Sequence, residues 1–152
     1  MIKFILTSEL GKLARWLRIM GFDAVYYNNN NIGTLIIQAL RDDRVIVTRR
    51  QSKIDDLEKK TLVLAADKLT EQLREVIAKL HLQIEEYKMF SRCALCNEVL
   101  VEVKKEELRE LIPEYVYMTQ EFFRQCTLCK RVYWQGSHWG NVTRTIKETQ
   151  LR

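Results

Sequence analysis

Short apolar runs alternate with helical periods through the first half of the chain. Ile2 to Leu6 is a compact hydrophobic run, the mark of a buried strand. Leu10, Leu13, Ala14 and Leu17 recur at the spacing of a helix face, and Gly21 supplies its C-terminal cap. Ala24 to Tyr27 predicts a second strand, the polar run Asn28 to Asn31 a loop, and Ile32 to Arg41 a second helix. Val45 to Thr48 predicts a third strand and, after a short charged helix, Thr61 to Leu64 a fourth. Leu69, Leu73, Val76, Ile77 and Leu80 form the clearest amphipathic period. Repeated strand and helix units of this length predict an α/β fold, a parallel sheet with helices on both faces.

The pattern changes near His81. From Tyr87 onward the chain holds all four cysteines, all but one of the tryptophans and its single proline. These shifts divide it into an α/β unit over residues 1–86 and a second, metal-dependent unit over 87–152. The cysteines form two pairs, Cys93-Ala-Leu-Cys96 and Cys126-Thr-Leu-Cys129. A CxxC turn brings two thiolates onto one ion while its amides point at the sulfurs, and two such turns complete a tetrahedral zinc shell. Four thiolates leave no open position for water, so this zinc would be structural. Redox-active dithiols are the alternative reading of the pairs. The 29 residues between the pairs include a short helix over Lys104 to Leu111 that Pro113 is expected to end. Arg131 to Trp134 predicts a strand, and Ser137 the cap of a last helix.

Composition narrows the function classes. At 152 residues and 47% hydrophobic, the chain can bury one moderate core plus a small appendage. No stretch approaches the roughly 20 apolar residues of a membrane span, and the start, Met1 to Thr7, lacks a secretory pattern. A cytoplasmic protein with no membrane partner is expected. The net charge is +5, and Met118 to Arg152 carries six basic residues against two acidic ones. Phe122, Phe123, Tyr133, Trp134 and Trp139 interleave with those cations. Cations that hold phosphates beside rings that accept bases suit single-stranded nucleic acid. Rings packed inward on a small ribbon are the plainer reading. No Gly-rich phosphate loop or Ser-His-Asp arrangement is present, and His81, between two leucines at a helix end, reads as structural.

Three motifs occur in order: Leu10-Gly-Lys-Leu-Ala-Arg-Trp-Leu-Arg18 with Gly21-Phe-Asp23, then Phe90-Ser-Arg-Cys-Ala-Leu-Cys-Asn97, then Arg131-Val-Tyr-Trp-Gln-Gly-Ser-His-Trp139. Together they resemble the Mut-seven C-terminal RNase domain family over nearly the whole chain. The resemblance implies a PIN-like parallel sheet flanked by helices, followed by a zinc ribbon. It also implies acidic side chains at the carboxyl ends of the strands, holding Mg²⁺ or Mn²⁺ that activates water for phosphodiester cleavage.

This sequence departs from that pattern at three places. The family's first strand ends in Asp, whereas here Thr7 stands there, followed by Ser8 and Glu9. The loop before the second helix offers Asn28 to Asn31 in place of acids, and Thr48-Arg49-Arg50 replaces a Thr-Arg-Asp triplet. A unit charge pair about 4 Å apart is worth roughly 4 kcal/mol at an effective dielectric near 20, so Arg50 would oppose a divalent ion. Glu9 and Asp67 remain as possible catalytic acids, and Asp67 could equally cap the helix that follows it. Asp23, Asp42 and Asp43 precede their strands and fall at the opposite end of the sheet.

Lys12, Arg15 and Arg18 are expected opposite the leucine stripe, with Arg49 and Arg50 at a nearby strand end. An arginine fork binds phosphate oxygens in pairs, so such a cluster could hold phosphate directly where the family holds metal. The expected RNA-binding set is Lys12, Arg15, Arg18, Arg49, Arg50, Lys130, Arg131, Trp134 and His138, each also readable as an ordinary structural or surface residue. The leading reading is an RNA-binding member of the RNase family with weak or absent nuclease activity. Its partner would be single-stranded or structured RNA, and a protein partner stays open. One alternative is an active ribonuclease using Glu9 and Asp67 with Mg²⁺ or Mn²⁺; another is a protein-binding module with a basic face. Metal analysis of the purified protein should return about one zinc per chain, and metal-free protein with four reactive thiols would instead favour the dithiol reading.

Overall fold

In the computed structural model, which describes residues 1–50, 60–85, 88–134, 144–145 and 147–148, the first apolar run forms β1 (Phe4–Leu6). A single 3-10 turn, Ser8–Leu10, leads into α1 (Gly11–Ile19). Then come β2 (Ala24–Tyr26), α2 (Ile32–Arg41), β3 (Val45–Thr48), β4 (Thr61–Val63) and α3 (Leu69–Leu80). The four strands are parallel in the order β2-β1-β3-β4. Alternation along the strands divides the core. Phe4 and Leu6 face one side with Leu13, Ala14 and Leu17 of α1 and Leu73 and Val76 of α3. Ile5 and Ile46 face the other side, against Leu35 and Ala39 of α2. Helices therefore cover both faces, as the periodicity predicts.

Helix ends explain several residues that carry no core weight. Asn31 Oδ1 accepts the Thr34 amide at 3.1 Å and caps α2, which gives the polar run before it a local role. At the end of α1, Gly21 N–H donates to Arg18 O and Phe22 N–H to Leu17 O, closing a left-handed C-terminal turn. His81 takes the equivalent left-handed position after α3, consistent with its structural reading. The start of α3 differs from expectation. Lys68 occupies the cap position without a side-chain bond, and Glu75 reaches back to accept the Ala65 and Ala66 amides. Asp67 is left exposed and does not cap the helix.

The remaining described chain builds a small antiparallel sheet, β5 (Val101–Val103), β6 (Phe123–Gln125) and β7 (Val132–Trp134), in that order. Between β5 and β6 the expected helix from Lys104 is a 3-10 turn, Lys105–Leu108, and Pro113 begins the next helix instead of ending one. It immediately precedes α4 (Glu114–Thr119), and its carbonyl accepts the Val116 and Tyr117 amides. Proline has no amide to satisfy and a fixed φ suited to a helix start, so this position costs nothing. Leu108, Ile112 and Val116 pack on Phe123, with Trp134 alongside. The charged helix expected between β3 and β4, Ser137, His138 and Trp139 lie outside the described residues, while 144–145 and 147–148, within the helix expected after Ser137, are helical. Among the described residues no helix is long and apolar enough to cross a membrane.

Gly21 sits at φ +96°, and a Cβ there would collide with the Lys88 carbonyl backbone. Gly21→Ala should lose about 2 kcal/mol or more in urea denaturation, from left-handed strain at the helix end plus that collision; an unchanged midpoint would show that the contact is not maintained in solution.

Candidate metal centre and nucleic-acid interface

The two cysteine turns are built alike. Cys93 N–H donates to Glu98 O and Cys126 N–H to Arg131 O; Asn97 N–H returns to Cys93 O and Lys130 N–H to Cys126 O. Asn97 and Lys130 both take left-handed backbone, at φ 66° and 65°. Within each turn the second cysteine's amide points at the first sulfur, Cys96 N to Cys93 Sγ at 3.4 Å and Cys129 N to Cys126 Sγ at 3.5 Å. All four sulfurs lie within 4.8 Å of one another, and Cys93 Sγ is 3.7 Å from Cys129 Sγ. A tetrahedral shell with Zn–S bonds of about 2.3 Å sets sulfurs about 3.8 Å apart. The donor set thus fits one ion of zinc's size and preference, held by Cys93, Cys96, Cys126 and Cys129.

Tyr133 of β7 completes this centre and was not foreseen as part of it. Its hydroxyl lies 3.2 Å from Cys93 Sγ and accepts the Ala94 amide at 3.1 Å. Burial pushes the Cys93 thiol up, but hydrogen bonds from Tyr133 and the turn amides outweigh it and bring Cys93 down to about 7. Burial and the neighbouring sulfurs push Cys96 up to about 12. Within the first pair, Cys93 is thus the readier to ionise, and Cys96 would need a bound cation's charge to follow it.

Arg18 departs from the expected basic face. It is only 9% exposed, and its guanidinium is occupied by three carbonyls. Nε donates to Ala24 O at 2.8 Å, and one terminal nitrogen to Ala94 O at 3.0 Å and Leu95 O at 3.2 Å. Lys12 and Arg15 do remain exposed on α1. Lys130 and Arg131 are exposed after the second cysteine turn, whereas Trp134 is half-buried against Phe123, with ring centroids 6.4 Å apart. The inward-packing reading holds for Phe123, Tyr133 and Trp134. Among the described rings of this group, Phe122, 87% exposed, faces solvent.

The crevice between β1 and β3 is where the strand order reverses, the usual ligand position in an open parallel sheet. Glu9 reaches into it, and three donors converge on one oxygen of its carboxylate. Thr7 Oγ1 donates to Glu9 Oε1 at 2.6 Å, the Arg49 amide at 3.1 Å and Thr48 Oγ1 at 3.3 Å. Arg50 lies 3.4 Å from the other oxygen and also donates to Ser8 Oγ at 2.9 Å. Arg49 is exposed beside this network. Asp67, in the loop after β4, lies beyond β3 from Glu9, and the described residues contain no group of three acids able to share an ion. At the opposite end of the sheet, Arg44 binds Asp23 with both nitrogens, at 2.7 and 3.3 Å, while Asp42 pairs with Arg41 and Asp43 with Lys60.

Partial burial pushes Glu9 up, but the Thr7 and Arg49 hydrogen bonds and the Arg50 charge outweigh it and hold the carboxyl below its ordinary 4.5. A depressed folded value stabilises the protein above the unfolded value, and that stability is lost as pH falls through the folded value. Glu9→Gln should therefore remove part of the loss of stability between pH 5 and the acid limit of folding, read as a shallower fall in melting temperature. A curve parallel to wild type would mean that the network does not hold the carboxylate.

No curated protein and no solved structure matches the chain at a significant level. The Mut7-C RNAse domain family model matches residues 2–146, nearly the whole chain and all four cysteines; with its parallel sheet, helices on both faces and C-terminal cysteine cluster, the protein belongs to the Mut7-C RNase domain family.

Proposed function

We propose that this protein binds RNA through a basic surface and is a weak or inactive nuclease, its family's metal-binding crevice being closed by an internal ion pair. The observation that carries this reading is the Glu9 network: among the described residues this carboxylate stands at the switch point, with Thr7, Thr48 and the Arg49 amide on one oxygen and Arg50 beside the other. A catalytic Mg²⁺ is held by carboxylates and water, and here a guanidinium stands where the ion would compete. Lys12, Arg15, Arg49, Lys130 and Arg131 keep exposed cationic side chains suited to phosphates. Phe122 offers the exposed ring in place of Trp134. The chain is read as two units, 1–86 and 87–152, the second folded around a structural zinc, with Met89 buried in the first unit's core as the link. The setting is read as cytoplasmic, where four thiols stay reduced and metal-bound.

The second reading, an active ribonuclease, is supported by the family and by further acids in the sequence. Asp55, Asp56 and Glu58 follow the third strand in a segment outside the described residues. Cleavage of labelled RNA under Mn²⁺ titration separates the two. No cleavage is expected, with Arg50→Asp together with Thr7→Asp restoring some; Mn²⁺-dependent cleavage by wild type that Glu9→Ala, Asp67→Ala or Asp55→Ala abolishes would establish the active enzyme. RNA affinity should fall with salt with a log-log slope of about −0.7 per phosphate contacted. Lys12→Ala, Arg15→Ala and Arg49→Ala should each reduce that slope by about 0.7. Absent or salt-insensitive RNA binding would leave the basic face to a protein partner.

A further inference from the structure

β2 is an edge strand, and its outward backbone groups have no strand to meet. Asp23 O and Tyr27 N–H pair with β1, which leaves the N–H and C=O of Ala24 on the open side. Neither is left to water. Ala24 N–H donates to Asn97 Oδ1 at 3.0 Å, and Ala24 O accepts Arg18 Nε at 2.8 Å. Asn97 also donates from its side-chain nitrogen to Asp23 Oδ1 at 2.7 Å, and Asp23 is held in turn by Arg44. The first cysteine turn, through Asn97, and α1, through Arg18, therefore close the β2 edge at Ala24.

The orientation of that turn is set by its sulfur. A trans peptide points its N–H and C=O in opposite directions. The Leu95 and Cys96 amides are directed at Cys93 Sγ, so the carbonyls of the same peptide planes, Ala94 O and Leu95 O, face away from it. Arg18 lies on that far side and takes both. Fixing the thiolate in a closed four-sulfur shell thereby fixes two of the three acceptors of a buried cation, and the left-handed Asn97 that ends the turn.

We propose that the first cysteine turn is a metal-dependent clamp: an ion bound by the four cysteines holds Ala94, Leu95 and Asn97 where they close the β2 edge through Arg18 and Ala24, so that metal loss opens that edge. Arg18 and Asn97 act as positioning residues between the metal centre and the sheet. With the shell empty, the turn has no reason to keep both carbonyls on Arg18, and the Ala24 groups become free to pair with another chain.

The test is amide hydrogen exchange on the full chain, with zinc bound and after stripping by a chelator, each state checked for metal content. Stripping should speed exchange of the Ala24 amide about tenfold or more, the scale of one buried hydrogen bond, while Ile46 and Val47 of the central strand β3 stay protected. Asn97→Gly keeps the left-handed backbone available and removes only the carboxamide; with about one zinc still bound it should give the same local acceleration. The clamp is overturned if Ala24 exchange is unchanged in stripped protein, if Asn97→Gly leaves it unchanged, or if stripping accelerates Ala24 and β3 together. The inference rests on the metal reading, and the two fail separately. Absence of metal from purified protein sinks both, whereas bound metal with unaltered exchange sinks the clamp alone.

Discussion

A buried arginine joins the two sheets. Arg18 leaves the C-terminal turn of α1 and places its guanidinium between Ala24 of the sheet edge and the carbonyls of the first cysteine turn. Taking a cation out of water costs several kcal/mol unless hydrogen bonds replace the lost hydration, and removing its partners leaves that cost uncompensated. Three carbonyls with nearby Asp23 supply the replacement. Two further contacts act at the same junction. Phe90 N–H donates to Ile19 O at the end of α1, and Arg124 of β6 donates to Phe90 O. The cysteine module is thus fixed to the helix that also presents Lys12 and Arg15. A basic surface spread over both units is held in one arrangement by polar bonds whose geometry tolerates little drift.

The second constraint lies at the other end of the sheet, where topology makes a ligand site and side chains occupy it. The strand order places the ends of β1 and β3 side by side, and an acidic family would load that crevice with carboxylates. Like charges there repel until a divalent ion joins them. Among the described residues, Arg50 brings a positive charge to the Glu9 carboxylate in that crevice. Thr7 and Thr48 are buried, and their hydroxyls give Glu9 donors that metal-bound water would otherwise supply. The network is satisfied without an ion, and this feature carries the proposed reading more firmly than any missing acid does.

Elements that bury an apolar stripe were legible in the sequence. The Leu10/Leu13/Ala14/Leu17 period, α2 from Ile32 to Arg41, the apolar run of β3 and the two CxxC turns follow from local spacing, although β3's pairing with β1 and the joining of the two turns are long-range. Where the structure departs from the sequence, the departure turned on which side of a boundary a side chain or backbone group would fall. Arg18 stands four residues after Ala14, on the margin of the buried stripe, and only the arrival of the cysteine turn decides that it goes inward. Trp134 looked like a stacking platform until Phe123 was found beside it. Pro113 is a helix breaker by periodicity and a helix start by backbone chemistry, and the sequence before it did not separate the two. Asn97 was the most recoverable omission, since the residue after each CxxC must take left-handed backbone and asparagine is one of the few that do so readily.

Lys130 occupies that same left-handed position in the second turn, and the comparison sharpens what its charge is for. The two turns have matching hydrogen bonds, so the backbone demand at 97 and 130 is the same. At 97 the residue suits the backbone, and its side chain is consumed in sealing β2. At 130 the side chain is exposed, and a lysine there costs about 1 kcal/mol against a residue that accepts positive φ freely. Folding alone would favour glycine or asparagine at such a site. A cation held there by two backbone bonds, beside exposed Arg131, lies on the outer side of the metal centre, opposite in role to the clamped turn. The near-symmetric turns thus differ in use: one faces the sheet and the other faces solvent with positive charge.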